Sequence, residues 1–258
     1  MDICFKETPR LFGAFHIIFL VLICIISIFL MNRFRKQDED RLISFLHYSG
    51  LGMMAAELWK QIFTHIYVFD RIYNMWFFPW QLCSMAMYCS FLVPYLNRRR
   101  QNTLLVFLCT FSLLAAVVAL AGPLDMLRPQ IMLTVHGFIY HGFMIFEAIA
   151  AYYILKKRTH TFRPALLLFV GMALIAEVIN VIGHLCLHDI HREPDMFYIT
   201  PYYASTQPVF HEIAIRYSIA VEIAVYLLAI ILFSYLLYRI LFGKNRYITR
   251  DDESFRVC

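Results

Sequence analysis

Charge is scarce in this sequence. Asp, Glu, Lys and Arg supply 16% of its 258 residues, against about 25% in a soluble domain. Hydrophobic residues supply 61%, against about 45–50% in a soluble domain, and the mean hydropathy is +0.63. The shortage excludes a soluble globular protein. Internal repeats, low-complexity tracts and long polar connections are also lacking, so no soluble module is expected and residues 1–258 read as one membrane domain. The seven cysteines are an odd number, none lies in a Cys-x-x-Cys pair, and Cys24, Cys83, Cys89, Cys109 and Cys186 fall within apolar stretches. A buried cysteine behaves as a small hydrophobe, so no disulfide framework follows. The first apolar run, Leu11 to Met31, has no small-x-small exit. It is also longer than the roughly 7–15 residues of a signal-peptide core, which excludes a cleavable signal.

What is present is a series of apolar stretches. A hydrocarbon core of roughly 30 Å takes about 20 apolar residues per helix, and seven spans are expected near 11–32, 42–67, 76–96, 103–121, 130–155, 164–187 and 214–242. The fold class is therefore all-α, a polytopic membrane protein with seven transmembrane helices. One set of connections holds Arg33, Arg35, Lys36, Arg41, Arg98, Arg99, Arg100, Lys156, Lys157, Arg158 and Arg163, and the C-terminal end adds Arg239, Lys244, Arg246, Arg250 and Arg256. The other set holds only Lys6, Arg10, Arg71, Arg128, Arg192 and Arg216. Positive loops stay in the cytoplasm, which places the N-terminus outside and the C-terminus inside, in a multi-pass protein of the cell membrane. The net charge of +5 is a topology signal and implies no nucleic-acid partner.

Ionisable side chains within spans are costly and face a bundle interior. The spans keep Glu57, Lys60, His136, His141, Glu147, Glu177, His184 and Glu222, joined by Gln81, Cys83 and Asn180. With a rise of about 1.5 Å per residue, Glu57, Cys83, His141, Glu177, Asn180 and Glu222 lie roughly 10–17 Å below the outer boundary. His16, His136 and His184 are shallower. A cavity open to the outer side is expected. Helical spacing puts Trp76, Trp80, Cys83 and Met87 on one face of the third span, with Pro79 in its first turn, and Glu177, Asn180, His184, His188 and His191 on a ridge of the sixth.

Three chemistries compete for this layer. Cys83 and His141 sit at similar depth on different helices, and a thiolate nucleophile needs a histidine to take its proton. His184, His188 and His191 have the spacing of three metal ligands on one face, but His188 and His191 fall in a polar loop, where solvated histidines are the simpler account; no metal and no cofactor is expected. Glu57 and Lys60 are spaced to neutralise one another without chemistry.

Phe12-Gly13-x-x-His16, Ala56-Glu57-x-x-x-Gln61, Pro79-Trp80-Gln81-Leu82-Cys83-Ser84, His141 with the apolar run ending at Tyr152-Tyr153, Asn180-x-x-Gly183 and Tyr217-Ser218-x-x-x-Glu222 occur in order on successive spans. Together they resemble the YwaF-type integral membrane proteins, related to the transmembrane-protein-164 acyltransferases, over nearly the whole chain. The resemblance implies a lipid enzyme that moves an acyl group between phospholipids through a cysteine; a more distant group of similar build hydrolyses fatty-acid esters with a Thr and a His. In the eukaryotic relatives the cysteine follows the proline directly, where this chain has Trp80, and Cys83 matches the bacterial version. The relatives tend to carry His at the position of Gln81, which leaves proton transfer to His141 or His136.

The expectation is a membrane enzyme for acyl transfer or lipid-ester hydrolysis, with a phospholipid or lysophospholipid as substrate. Cys83 is the nucleophile and His141 the base. Gln81 or Asn180 donates to the oxyanion, and Glu57 and Glu222 orient the histidine or position Lys60. His16, His136 and Glu177 complete the substrate-binding or orienting set, and Glu57, Asn180 and Glu222 are expected to line the cavity with the catalytic pair. The alternative is a solute transporter or ligand-binding membrane protein that uses the same cavity without chemistry.

Overall fold

The computed structural model of the chain describes Cys4, residues 7–187 and residues 193–243. Its regular structure is helical: α1 (Ala14–Phe34), α2 (Glu39–Tyr67), α3 (Met85–Leu92), α4 (Arg98–Phe107), α5 (Leu113–Ala121), α6 (Ile131–Leu155), α7 (Arg163–Leu187), α8 (Pro208–Arg216) and α9 (Ile219–Phe242). A π-helical turn at Leu108–Ser112 joins α4 and α5 into one continuous rod. Among the described residues, five helices are long and apolar enough to cross a membrane: Ala14–Phe34, Arg98–Ala121, Ile131–Leu155, Arg163–Leu187 and Ile219–Phe242. Helix α2 is longer still at 29 residues, but Glu57, Lys60 and its charged first turn dilute its apolar character.

Two expected spans take another form. The third is not a regular helix with Pro79 in its first turn, and its stripe of Trp76, Trp80, Cys83 and Met87 does not exist as one. The segment makes a 3₁₀ turn at Met75–Phe77, opens, makes a second at Leu82–Ser84, and only then enters α3, of 8 residues. Proline supplies the reason: it has no N–H and pushes the residue before it out of the helical region, and Phe78 stands at φ −55°, ψ 135°. The expected seventh span splits at Tyr217–Ser218. Tyr217 leaves helical geometry, and Ser218 is an extended N-cap whose Oγ accepts from the Val221 N–H at 3.3 Å, so α8 stands apart as a short helix opened by Pro208.

Stacked aromatic rings fill the centre. Phe111 lies against Phe107, Phe162 and Phe169 with ring centres 5.4, 5.6 and 4.6 Å apart. Helix α2 packs on α3 and α6, and it approaches α3 closely at Gly50, where a Cβ would come within 2.5 Å of the Phe91 backbone nitrogen. Helix α1 sits at the edge against α6 and buries only His16, Ile23 and Phe34.

At the end of the bundle that carries the basic connections, Arg158 is nearly fully buried and ties α2 and α4 to the connection after α6. It donates to Glu39, to Gln101 Oε1 at 3.0 Å and to Asn102 Oδ1 at 2.9 Å. That hydrogen bond, helped by the charges of Arg158, Arg98 and Lys157, holds the Glu39 carboxyl below the usual range although partial burial pulls it the other way. The stabilisation is therefore complete above the unfolded pKa of about 4.3 and lost as pH falls through the lower folded value. Arg158→Gln is expected to lower thermal stability at neutral pH and to flatten the acid limb of a stability–pH profile in detergent. An unchanged acid limb would remove Glu39 from the account.

Candidate functional site

At the opposite end of the bundle lies a cavity of about 440 Å³. Glu57, Lys60, Gln81, Cys83, His136 and His141 line it. They arrive from the second half of α2, the broken segment before α3, and the first half of α6, three elements that meet because α2 packs on both of the others.

Cys83 occupies the second position of a helical run from Leu82 to Leu92. The first N–H groups of a helix have no intrahelical partner, and the dipole there is positive. Three contacts fix the segment that leads to it. The Trp80 indole N–H donates to the Met172 carbonyl at 3.2 Å, the Tyr88 hydroxyl donates to the Pro79 carbonyl at 3.0 Å, and Gln81 grips the backbone at residues 195 and 197.

His141 has its Nδ1 at 2.8 Å from the Gly137 carbonyl. A carbonyl only accepts, so Nδ1 carries the proton and the neutral ring presents Nε2 as an acceptor. No hydrogen bond joins His141 to Cys83; both face the cavity, and the reacting group would have to bring them into register, as unliganded catalytic pairs often require. His136 is stacked between Trp59 and Tyr140, and its Nε2 is buried without a hydrogen-bond partner. Glu57 Oε1 accepts from Lys60 Nζ at 2.8 Å and from Gln61 Nε2 at 2.6 Å, and Gln61 also donates to the Phe77 carbonyl. Glu57 thus positions Lys60, and it does not touch a histidine.

The other expected site residues lie elsewhere, for identifiable reasons. Asn180 does not line the cavity. Its side chain is completely buried and exchanges two hydrogen bonds with Met196: Oδ1 accepts from the N–H at 2.7 Å and Nδ2 donates to the carbonyl at 3.2 Å. Gln81 makes the flanking pair, donating to the Asp195 carbonyl at 2.9 Å and accepting from the Phe197 N–H at 3.0 Å. Each amide gives its oxygen and one of its two N–H groups to one loop; Gln81 still lines the cavity, and Asn180 does not. Glu222 is also outside the cavity and orients no histidine; its Oε2 accepts from the Ser205 N–H at 3.4 Å. Glu177 is half-buried on α7, away from the cavity lining. His16 is a structural tether, accepting at Nδ1 from the Phe12 N–H at 3.1 Å and donating from Nε2 to the Leu120 carbonyl at 2.8 Å. His184 stacks on Tyr202 with centres 3.5 Å apart and binds Glu193 at 2.7 Å. His188 and His191 lie outside the described residues, among which no group of three or more His, Cys, Asp or Glu side chains could hold a metal ion.

The loop held by the two amides explains the geometry at the cavity mouth. Phe197 and Tyr198 both adopt left-handed backbone, at φ 60° and 57°, which costs a non-glycine residue roughly 1–2 kcal/mol. The turn drives the Phe197 ring into the core against Phe169 and sends Tyr198 to the cavity, where its hydroxyl donates to Asp125 Oδ2 at 2.9 Å. Asp195 is almost fully buried in this loop, and desolvation pushes its carboxyl up to about 7 although the Thr200 N–H stabilises the charged form.

Tyr140, Asp125, Arg128 and Tyr198 are among the lining residues that had no part in the expected site. Tyr140 is buried and its hydroxyl has no hydrogen-bond partner; its position one turn after His136 carried that signal. Asp125, Arg128 and Tyr198 stand in connections between helices, where no periodicity points inward. Comparison of the chain with family models, with curated proteins and with solved structures finds no match.

Proposed function

We propose that the protein is a membrane-embedded enzyme of lipid acyl transfer or lipid-ester hydrolysis, as its resemblance to YwaF-type proteins implies. The observation that carries the reading is one cavity shared by the Cys83 thiol and by a histidine whose hydrogen bond to Gly137 leaves Nε2 as the acceptor. Cys83 gives its proton to His141 Nε2 and its sulfur attacks the ester carbonyl. The carbonyl oxygen becomes an oxyanion, which the unpartnered Tyr140 hydroxyl stabilises. Collapse breaks the ester C–O bond, and the departing lipid oxygen takes the proton from His141, leaving a thioester on Cys83. A lysolipid hydroxyl or water then yields a proton to His141, attacks the thioester, and releases the sulfur to be reprotonated.

The apolar lining contributed by α5 and α9 fits a hydrocarbon chain, and it includes Val118 and Phe233, which are 57% and 54% exposed. A substrate dissolved in the bilayer could enter sideways there. The test is a radiolabelled phospholipid or an acyl-ester probe followed by mass spectrometry of the purified protein. An acyl adduct on Cys83 is the expected result. Solute flux that persists in Cys83→Ser, with no adduct in the wild type, would make the cavity a transport site instead.

The reading includes seven spans, with α2 and the broken segment through α3 completing the five apolar helices, and with the basic connections in the cytoplasm. A reporter fused after Cys258 is expected to be cytoplasmic, and one inserted between Pro194 and Pro208 external. The reverse pattern would put the cavity on the cytoplasmic side.

A further inference from the structure

We propose that Arg128 binds the oxyanion head, phosphate or carboxylate, of an acidic amphiphile whose chain lies in the side opening between α5 and α9; the inference rests on reading the cavity as a lipid site. Arg128 stands in the connection that enters α6, where its N–H donates to Thr134 Oγ1 and its carbonyl accepts from the same hydroxyl, both at 2.9 Å. Its Nε donates to the Asp125 carbonyl at 3.0 Å, and its guanidinium carbon lies 5.1 Å from the centre of the Trp76 ring and 4.9 Å from that of Phe77. The backbone, Nε and guanidinium carbon are thus all placed, while the group makes no ion pair among the described residues and lines the cavity.

Both carboxylates that line the cavity have other partners, and Asp125 also lies near enough for its charge to act on Arg128. Glu57 is held by Lys60 and Gln61, and Asp125 accepts from Tyr198 and Gln207. Lys60 adds a second cation beside the same ring, with Nζ 5.9 Å from the centre of Phe77. A guanidinium held at its Nε and beside two rings, with its terminal N–H groups in no hydrogen bond among the described residues, presents the fork by which arginine binds phosphate or carboxylate. The lining also includes apolar residues of α5 and α9, among them the exposed Val118 and Phe233, so head and chain have separate, chemically matched places.

The test uses the full chain in neutral detergent micelles, titrated with oleate, oleoyl lysophosphatidate and oleyl alcohol, with binding followed through tryptophan fluorescence. Arg128→Gln is expected to weaken binding of at least one acid by about tenfold or more, the size of a lost charged hydrogen-bond pair, while oleyl alcohol binds as before. A larger loss for lysophosphatidate assigns a headgroup phosphate, and a larger loss for oleate assigns a fatty-acid carboxylate. Unchanged binding of both acids overturns the proposal, as does an equal loss for all three ligands, which would mean a structural role. Should Arg128→Gln fail to fold, the ratio of acid to alcohol affinity is read in Arg128→Lys, which keeps the charge and loses the fork; an unchanged ratio overturns the proposal. Cys83→Ser, run in parallel, separates this inference from the enzymatic reading. Acyl transfer that survives in Cys83→Ser alongside acid binding lost in Arg128→Gln leaves the subsite standing without the enzyme, and the converse pair leaves the enzyme without the subsite.

Discussion

Cys83→Ser is expected to abolish acyl transfer, by about 10³-fold or more, without unfolding the protein. The side chain makes no hydrogen bond that serine would break, and the two residues are close in shape. His141→Ala is expected to lose a similar factor. The double variant is expected to be no worse than either single one, because a nucleophile and its base act as a unit and their losses do not add. Tyr140→Phe should lose less, about 10²–10³-fold, as for an oxyanion donor, with substrate binding unchanged. Cys89→Ser is the control: Cys89 is buried in α3 beyond the cavity lining, and its activity should equal the wild type. Assays of the purified proteins in phospholipid vesicles decide the matter, and full activity in Cys83→Ser would end the cysteine mechanism.

The second large effect is expected from Asn180→Leu. Leucine is close in volume but offers neither donor nor acceptor, so the Met196 N–H would be left buried without a partner and its carbonyl would keep only the 3.4 Å bond from the Ile199 N–H. An orphaned group costs about 1–3 kcal/mol, and the left-handed pair Phe197 and Tyr198 would lose part of what holds it in place. Gln81→Leu removes the adjoining pair of bonds from Asp195 and Phe197. Because both side chains grip one short segment, the two losses are expected to couple. Thermal denaturation should show a large drop for either variant. Activity in the surviving folded fraction should also fall, since Tyr198 leaves the cavity when its loop opens. A stable Asn180→Leu protein with normal activity would reduce the clamp to an incidental contact.

The helices were legible in the sequence because each apolar stretch long enough to cross a bilayer must satisfy its own backbone, and a helix does so locally. The layer of polar side chains was legible too, since depth along a helix is a count of residues. That count groups Glu57, Cys83 and His141, and the cavity gathers all three. The same count also groups Asn180, Glu177 and Glu222 with them, and there it fails. Depth says how far along its axis a helix carries a side chain, but not which way the helix is turned; α7 and α9 turn Asn180 and Glu222 toward the loop that follows α7, where each binds backbone.

Local sequence by itself determined that the chain is a bundle of membrane helices and that titratable groups crowd toward one end; the break around Pro79, expected to lie in the first turn of a regular helix, came from the structure. Only the tertiary structure decided which of those groups share a space. The amide clamp of Gln81 and Asn180 joins residues about a hundred positions apart, and the Arg128 guanidinium is fixed by rings from the segment before α3. Such contacts depend on the rotation and packing of whole helices, and on loops whose conformation is set by partners distant in the chain, so no window of sequence contains them.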